Sequence, residues 1–346
     1  MNDFITISKY SGMRLDLVQA GGGNSSVKLD DKHMLIKASG IHMADINKDT
    51  GYSVVSYPMI VEYLKNIINN TSCDDSDILT KALVKGNKPS IETFLHTVTD
   101  KVTLHTHPIL VNILATRTNG MDQLKNLFPE SLCIDYATPG IMLAKEYYSA
   151  FQKAIPENKS IKIIFLKNHG LIVTGKTAEE VINLTEKILY TIENFLQLDH
   201  SSYRNAYKIY QHLQQCELFA DQLVVKAENN TLLNAFKSFD YKLWDYQFCP
   251  DCLVYCGKKP LYYTPQLTHT DLKKFLEAHG EPRIIIYGKH LYIRAVSLRK
   301  AKEIEDVLTF SAHVAMHNNN ESIDYLSVQE QNFLLNWEDE KYRQKL

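Results

Sequence analysis

The sequence predicts an α/β protein: a sheet flanked by helices, followed by a smaller C-terminal α/β part. Three observations predict it. Short β-like runs alternate with segments of helical apolar spacing along the first two hundred residues. The chain has 346 residues, and at about 150 residues per domain that length suggests about two domains. Apolar residues make up 45% and charged residues 23%, the mix of a soluble globular protein, so wholesale disorder is excluded.

The elements follow in order. Residues 4–18 read as a helix, interrupted by Gly21-Gly22-Gly23-Asn24. Ser26–Leu29 and Met34–Ala38 flank the polar turn Asp30-Asp31-Lys32 and read as a hairpin. Residues 58–69 carry helical apolar spacing, with Pro58 suited to the helix start. A helix is expected from about Ser90 to Thr99, a strand over the alternating 101–107, and a helix over 142–154 after Pro139-Gly140. Residues 161–174 form two apolar runs around the turn Asn168-His169-Gly170. Thr177 and Glu180 form a T-x-x-E capping box for a helix to about Leu198.

The remaining part has another texture. Residues 199–230 read as helical and polar, 253–256, 283–287 and 291–296 as short strands, 270–278 and 298–316 as helices, and 327–345 as a final amphipathic helix. A boundary is placed between 205 and 206. No Pro/Gly/Ser-rich linker marks it, and the chain holds no internal repeat.

Composition excludes several functions. The charge sum is 38 Lys+Arg against 40 Asp+Glu, a net −2, with no basic stripe of the kind a nucleic-acid binder shows. Any anion is therefore expected to be held by a local site, not by a global field. Six cysteines in 346 residues are too sparse for a disulfide scaffold. The N-terminal MNDFITISKYSG lacks the charged and apolar regions of a secretory signal, and no run reaches the roughly 18 apolar residues of a membrane span. The expectation is a cytoplasmic protein with reduced thiols and neither a nucleic-acid nor a membrane partner.

His105-Thr106-His107 is the sharpest chemical constellation. Side chains at i and i+2 of a strand face the same way, so two imidazoles so spaced can bind one metal ion from a rigid element. A catalytic zinc takes three protein ligands and leaves one position open. His169, in a tight turn between apolar runs, is the leading third ligand. The plainer reading is a pair of polar residues at a strand end. Glu92 heads a short helix, where a carboxylate is either a metal ligand and general base or simply a favourable charge at a helix N-terminus; spacing alone favours the second. His96, four residues on along the same helix face, is an alternative ligand or, more plainly, a structural histidine at the sheet. The stretch Ala20–Ser26, including Gly22, Gly23 and Asn24, can cradle a phosphate with backbone amides, or is a flexible loop. It lacks the Gly-Lys-Ser/Thr of a Walker A loop and the third glycine of a dinucleotide fingerprint. Ser39-Gly40 is a second small-residue turn. Cys249, Cys252 and Cys256 form C-x2-C-x3-C without a second C-x-x-C, so they read as free thiols and not as structural zinc.

Taken in order, GGGNSSVKLDDKHMLIKASG (21–40), PSIETFLH (89–96), VTLHTHP (102–108), YATPG (136–140) and KNHGLIVTGKTAEEVI (167–182) resemble the class II aldolase/adducin family. The resemblance covers roughly residues 10–195 and looks nearest to the aldolase half of bifunctional rhamnulose-1-phosphate aldolase/dehydrogenase proteins, whose aldolase half ends in a segment similar to 326–346. It implies a central, mainly antiparallel sheet flanked by helices. It implies a zinc-dependent aldolase, or one using another divalent transition metal, that cleaves or forms a ketose phosphate through a metal-stabilised enediolate to give dihydroxyacetone phosphate and an aldehyde. His105, His107 and His169 would be metal ligands, Glu92 the acid/base, and Tyr136 the acid at the aldehyde oxygen, contributed by a neighbouring subunit of a homo-oligomer, in this family a tetramer. Asn24, Ser39, Gly40 and Ser90 would match the phosphate-binding positions, supported by Gly22 and Gly23. Ile91 stands where simple fuculose-type aldolases carry a second serine. Epimerase, dehydratase and decarboxylase chemistries share this first shell, and an adducin-like binding module is the non-catalytic alternative, one that predicts loss of the metal ligands. The C-terminal part carries no readable motif and its role is open.

Overall fold

The structure is a computed structural model that describes residues 1–68, 75–154, 161–238, 247–318 and 324–336. It divides into two compact units, Met1–His200 and Ser201–Leu346, each built around its own sheet.

The first unit holds eight strands: β1 (Asn24–Lys28), β2 (His33–Lys37), β3 (Tyr52–Ser56), β4 (Leu83–Gly86), β5 (Val102–Thr106), β6 (Leu132–Ile134), β7 (Ile163–Leu166) and β8 (Gly170–Gly175). Their order is β4-β3-β2-β1-β5-β8-β7-β6. Every pairing is antiparallel except β6 with β7. Period-two alternation sets the register: Met34 and Ile36 of β2 pack on Ile60, Leu64 and Ile67 of helix Tyr57–Ile68. Toward the β6 end of the strand order, Ile164, Leu166 and Ile172 pack on Leu143, Tyr147 and Phe151 of helix Ile141–Ala154, which also touches helix Tyr57–Ile68. Each fully buried aliphatic side chain contributes about 1.5–3 kcal/mol. Helices Asn2–Gly12 and Ala178–Leu196 pack along β1, β5 and β8.

In the second unit β9 (Leu223–Lys226), β10 (Leu261–Tyr262), β11 (Ile284–Tyr287) and β12 (His290–Ala295) follow the order β10-β11-β12-β9, with β10 and β11 parallel. Both faces are covered, which explains the unbroken Ile284-Ile285-Ile286 run. Ile284 and Ile286 face Phe236, Ile304 and Leu308, while Ile285 and Tyr292 face Ile209, Leu213 and Leu272.

Five local expectations are corrected. The first helix ends at Gly12 and not near residue 18, because Arg14–Val18 turn back through a run of short-range backbone bonds. The helix expected over 90–99 shortens to Thr93–His96. Residues 199–230 hold a helix, Ser201–Gln215, but also β9. Residues 253–256 belong to helix Pro250–Cys256, with Pro250 in its first turn. The Thr177 hydroxyl accepts from the Glu180 amide, but the Glu180 carboxylate accepts from Lys176 N, so only half the capping box forms. The final helix is Val328–Asn336, and the rest of 327–345 lies outside the described residues.

Candidate functional site

β5 carries His105 between β1 and β8, where Asn24 and Ile172 are its direct cross-strand neighbours. His107 follows at the strand end, and its amide donates to Leu17 O at 2.9 Å. That bond depends on a brace: the buried Arg14 guanidinium donates to both Asp16 oxygens, at 3.0 and 2.7 Å, and the backbone carbonyl of Asp16 accepts from Ile109 N at 2.9 Å. Gly23 lets the glycine loop run beside β5. Its φ is +70°, and a Cβ there would lie 2.9 Å from His105 O.

His169 comes from the turn joining β7 to β8. Asn168 takes a left-handed φ of 55°, a conformation asparagine tolerates. Gly170 then approaches β5 so closely that a Cβ would sit 2.2 Å from Thr106 O. Asn112 Nδ2 donates to His169 O at 3.1 Å and fixes the turn.

Three imidazoles from two separate segments thus converge. His105 Nε2 lies 3.2 Å from His107 Nε2 and 3.3 Å from His169 Nε2. Glu92 Oε1 lies 3.0 Å from His169 Nε2 and 3.6 Å from His105 Nε2. One ligand atom from each of the four residues falls within 4.8 Å of the others. The donor set fits a small divalent cation. Nitrogens held about 2.0–2.1 Å from a tetrahedral ion stand about 3.3–3.4 Å apart, close to the spacing here. His105 Nδ1 donates to Leu171 O at 3.1 Å, which leaves the lone pair on Nε2, facing its neighbours. Burial, with the neighbouring imidazoles of His105 and His169 adding to it, pushes His107 down to about 3, so it is neutral and available as a ligand. Burial works against ionisation of Glu92, but the imidazoles of His105 and His169 prevail and hold its carboxyl far below the ordinary carboxylate range.

Asn24 Nδ2 donates to Glu92 Oε2, the oxygen not turned to the histidines. Asn24 therefore touches the carboxylate directly, while its own Oδ1 is buried without a partner. Ser90 Oγ accepts from Glu92 N at 3.3 Å. The chain segment after β2 pairs with the one before Glu92: Ala38 bridges Pro89, Ser39 N donates to Lys88 O, and Ser90 N donates to Lys37 O. Ser39 and Gly40 are thereby carried, exposed, alongside Ser90. The Gly22 amide donates to Gln19 O, so it serves the loop's own turn.

Sequence reasoning passed over Lys37, the last residue of β2. It is 2% exposed, and its Nζ donates to Gly21 O at 3.1 Å and Ala38 O at 3.5 Å. Burial lowers its pKa while the nearby charge of Glu92 opposes the shift. Among the described residues, no carboxylate pairs with it within 4.0 Å. A lysine ending an otherwise apolar strand beside Ser39-Gly40 was the available signal.

Tyr136 follows β6, is 59% exposed, and lines an open cleft of about 470 Å³ with Asp135, Thr138, Met142 and Glu146. None of the four clustered residues lines that cleft. His96 stands apart from the cluster: it is fully buried, its Nδ1 bonds Ser26 Oγ at 2.8 Å, and burial pushes it down to about 3.

Residues 3–196 match the Class II Aldolase and Adducin N-terminal domain. A Bacillus subtilis protein named uncharacterized oxidoreductase YuxG is 25% identical over 191 residues, which is 51% of this chain and 26% of that protein. The chain thus matches about a quarter of that relative's length. A 3-oxo-tetronate 4-phosphate decarboxylase of Haemophilus influenzae is 26% identical over 195 residues, 53% of this chain and 81% of that enzyme. Among solved structures, the N-terminal class II aldolase domain of a conserved Thermoplasma acidophilum protein is 27% identical, covering 56% of this chain and 92% of that one, with a TM-score of 0.49. Among the described residues, no helix is long and apolar enough to cross a membrane.

Proposed function

Since the chain belongs to the class II aldolase and adducin N-terminal domain family through residues 3–196, we propose that it is a metal-dependent carbon–carbon lyase: an aldolase that cleaves or forms a ketose phosphate, with dihydroxyacetone phosphate and an aldehyde on the other side of the reaction. The observation that carries this reading is the convergence of Glu92, His105, His107 and His169. Zn2+ is the ion we assign, in keeping with three nitrogen donors from histidine.

Bound there, a divalent cation supplies Lewis-acid polarisation of a carbonyl oxygen, which lowers the cost of negative charge as the carbon–carbon bond breaks. An imidazole that coordinates a cation does so through a lone pair as a neutral donor, so three of them would leave such an ion its full charge. Glu92 is ionised and takes a proton from, or returns it to, the carbon beside the carbonyl. Asn24 holds the second carboxylate oxygen, so Glu92 keeps one orientation. Ser39, Gly40 and Ser90 form the anion-binding edge beside it. Tyr136, exposed and away from the cluster of its own chain, delivers the proton at the aldehyde oxygen in the site of a neighbouring copy. On this reading the working form is a homo-oligomer, a tetramer by family resemblance.

A decarboxylase is the second reading, favoured by the Haemophilus enzyme that matches over 81% of its length. A screen of zinc-loaded protein against ketose 1-phosphates and phosphorylated 3-oxo acids separates the two. The aldolase reading expects dihydroxyacetone phosphate from a ketose phosphate, abolished by a chelator. Carbon dioxide from an oxo acid, with no ketose cleaved, overturns it in favour of decarboxylation. Turnover of neither substrate class overturns both.

A further inference from the structure

The C-terminal unit contains a second chemical cluster, unrelated to the histidines. Residues 249–252 read Cys-Pro-Asp-Cys. Cys249 caps helix Pro250–Cys256, and its Sγ lies 3.0 Å from Cys252 Sγ. Cys249 is half-buried, whereas Cys252 is buried and its sulfur contacts Ser311 Oγ at 3.0 Å on helix Leu298–His317. Cys256, one turn further on, is fully enclosed.

We propose that Cys249 and Cys252 are a thiol–disulfide exchange site, a dithiol that a small disulfide oxidises to an intrachain disulfide and a small thiol restores. The inference stands apart from the lyase reading and from the metal.

The placement of the two sulfurs assigns their roles. Cys249 is the more accessible and is the sulfur a small disulfide reaches. Burial pushes the Cys252 thiol up to about 12, a shift the Ser311 hydroxyl only partly offsets, so Cys252 stays protonated until a partner sulfur is beside it. In the first step the Cys249 thiolate attacks one sulfur of the small disulfide. The old sulfur–sulfur bond breaks, one small thiolate leaves, and a mixed disulfide remains on Cys249. In the second step the Cys252 thiolate attacks the Cys249 sulfur and expels the other small thiolate. Two thiol protons pass to the two departing thiolates, and the two electrons lost by the protein reduce the small disulfide to two thiols. A two-residue separation inside one helical turn needs little movement to close. Burial pushes Cys256 far up, which keeps it out of the exchange.

A structural metal is the competing use of three cysteines. It needs about four ligands, and among the described residues the cluster with metal-ligand spacing is the one at Glu92, with no cysteine in it.

Graded ratios of oxidised to reduced glutathione applied to the full chain test the proposal. Quenching with an alkylating agent and intact-mass spectrometry read the thiols that remain. The wild type is expected to lose two alkylatable thiols reversibly as the ratio rises, with no glutathione retained. C252S should trap Cys249–glutathione at ten times the wild-type level or more. C256S should behave like the wild type, and circular dichroism of each variant reports its folding. Full retention of all thiols across the range, or unchanged two-thiol oxidation in folded C249S, overturns the assignment.

Discussion

Lys37 is a buried cation that, among the described residues, reaches only backbone carbonyls, those of Gly21 and Ala38, beside an exposed turn of small residues. A buried ammonium without a carboxylate is costly, and an incoming substrate anion is a partner it lacks. Lys37→Met keeps most of the unbranched side chain and removes the charge. A hydrogen bond to a charged group contributes about 1.5–3 kcal/mol, so the variant is expected to raise KM for a phosphorylated substrate about 10- to 100-fold, with a smaller change in kcat and no loss of thermal stability. Steady-state kinetics and a melting curve check this; an unchanged KM contradicts it. The same residue shows where sequence reading stops. His105, His107 and His169 were legible because strand spacing and a turn put donor types where a metal needs them, whereas Glu92 came in only through the family resemblance, its spacing alone reading as a charge at a helix N-terminus. Lys37 was not legible, because a single lysine has no spacing signature. Its burial arises from the pairing of Ala38 with Pro89, a contact fifty residues apart.

At the level of elements, the site hangs on the turn that follows helix Asn2–Gly12. Arg14 clamps Asp16 and also pairs with Glu186 of helix Ala178–Leu196, and the neighbouring Leu17 carbonyl receives the His107 amide. Arg14→Met leaves Asp16 buried without its partner. Breaking a buried pair from one side costs about 3–5 kcal/mol, and denaturant unfolding should show a loss of that order. A change below 1 kcal/mol would mean that the brace is not structural. The second unit offers a comparable pair. Arg294 is fully buried and donates to Glu281 at 2.7 Å. Burial raises the Glu281 pKa, but the Arg294 hydrogen bond and charge outweigh it and hold the carboxyl below its usual range. A depressed carboxyl binds fewer protons when folded. Its stabilising effect is therefore complete above the unfolded value of about 4.3 and fades as pH falls through the folded value. Glu281 is a third exposed, so Glu281→Gln should cost about 1–3 kcal/mol at neutral pH, and the gap between variant and wild type should close on acidification. A gap that stays constant with pH contradicts the assignment. Elements with clear periodicity, such as 57–68 and 298–317, were readable from the chain. Residues 253–256 were not: Leu253-Val254-Tyr255 favour a strand locally, and Pro250 with packing on helix Leu298–His317 decides for a helix.

For the whole molecule, the proposed assembly has a direct consequence. If Tyr136 serves the site of a neighbouring copy, two inactive variants repair each other. His105→Ala subunits keep the tyrosine and Tyr136→Phe subunits keep the metal site. Mixing them under subunit exchange is expected to restore a fraction of wild-type activity, up to about a quarter when each interface pairs at random. No recovery, with exchange demonstrated by mixed-mass oligomers, would place Tyr136 within its own chain's chemistry or outside the reaction. The sign and size of the net charge fit this picture: with a sum of −2, the protein has no long-range field, and the anion is left to a few local groups. Metal content tests the central claim most directly. The purified chain should carry one divalent ion, zinc by our assignment, and both metal and lyase activity should vanish together in folded His105→Ala and after chelation, with activity returning when zinc is restored to the wild type. A correctly folded wild-type chain that takes up no divalent metal would contradict the account.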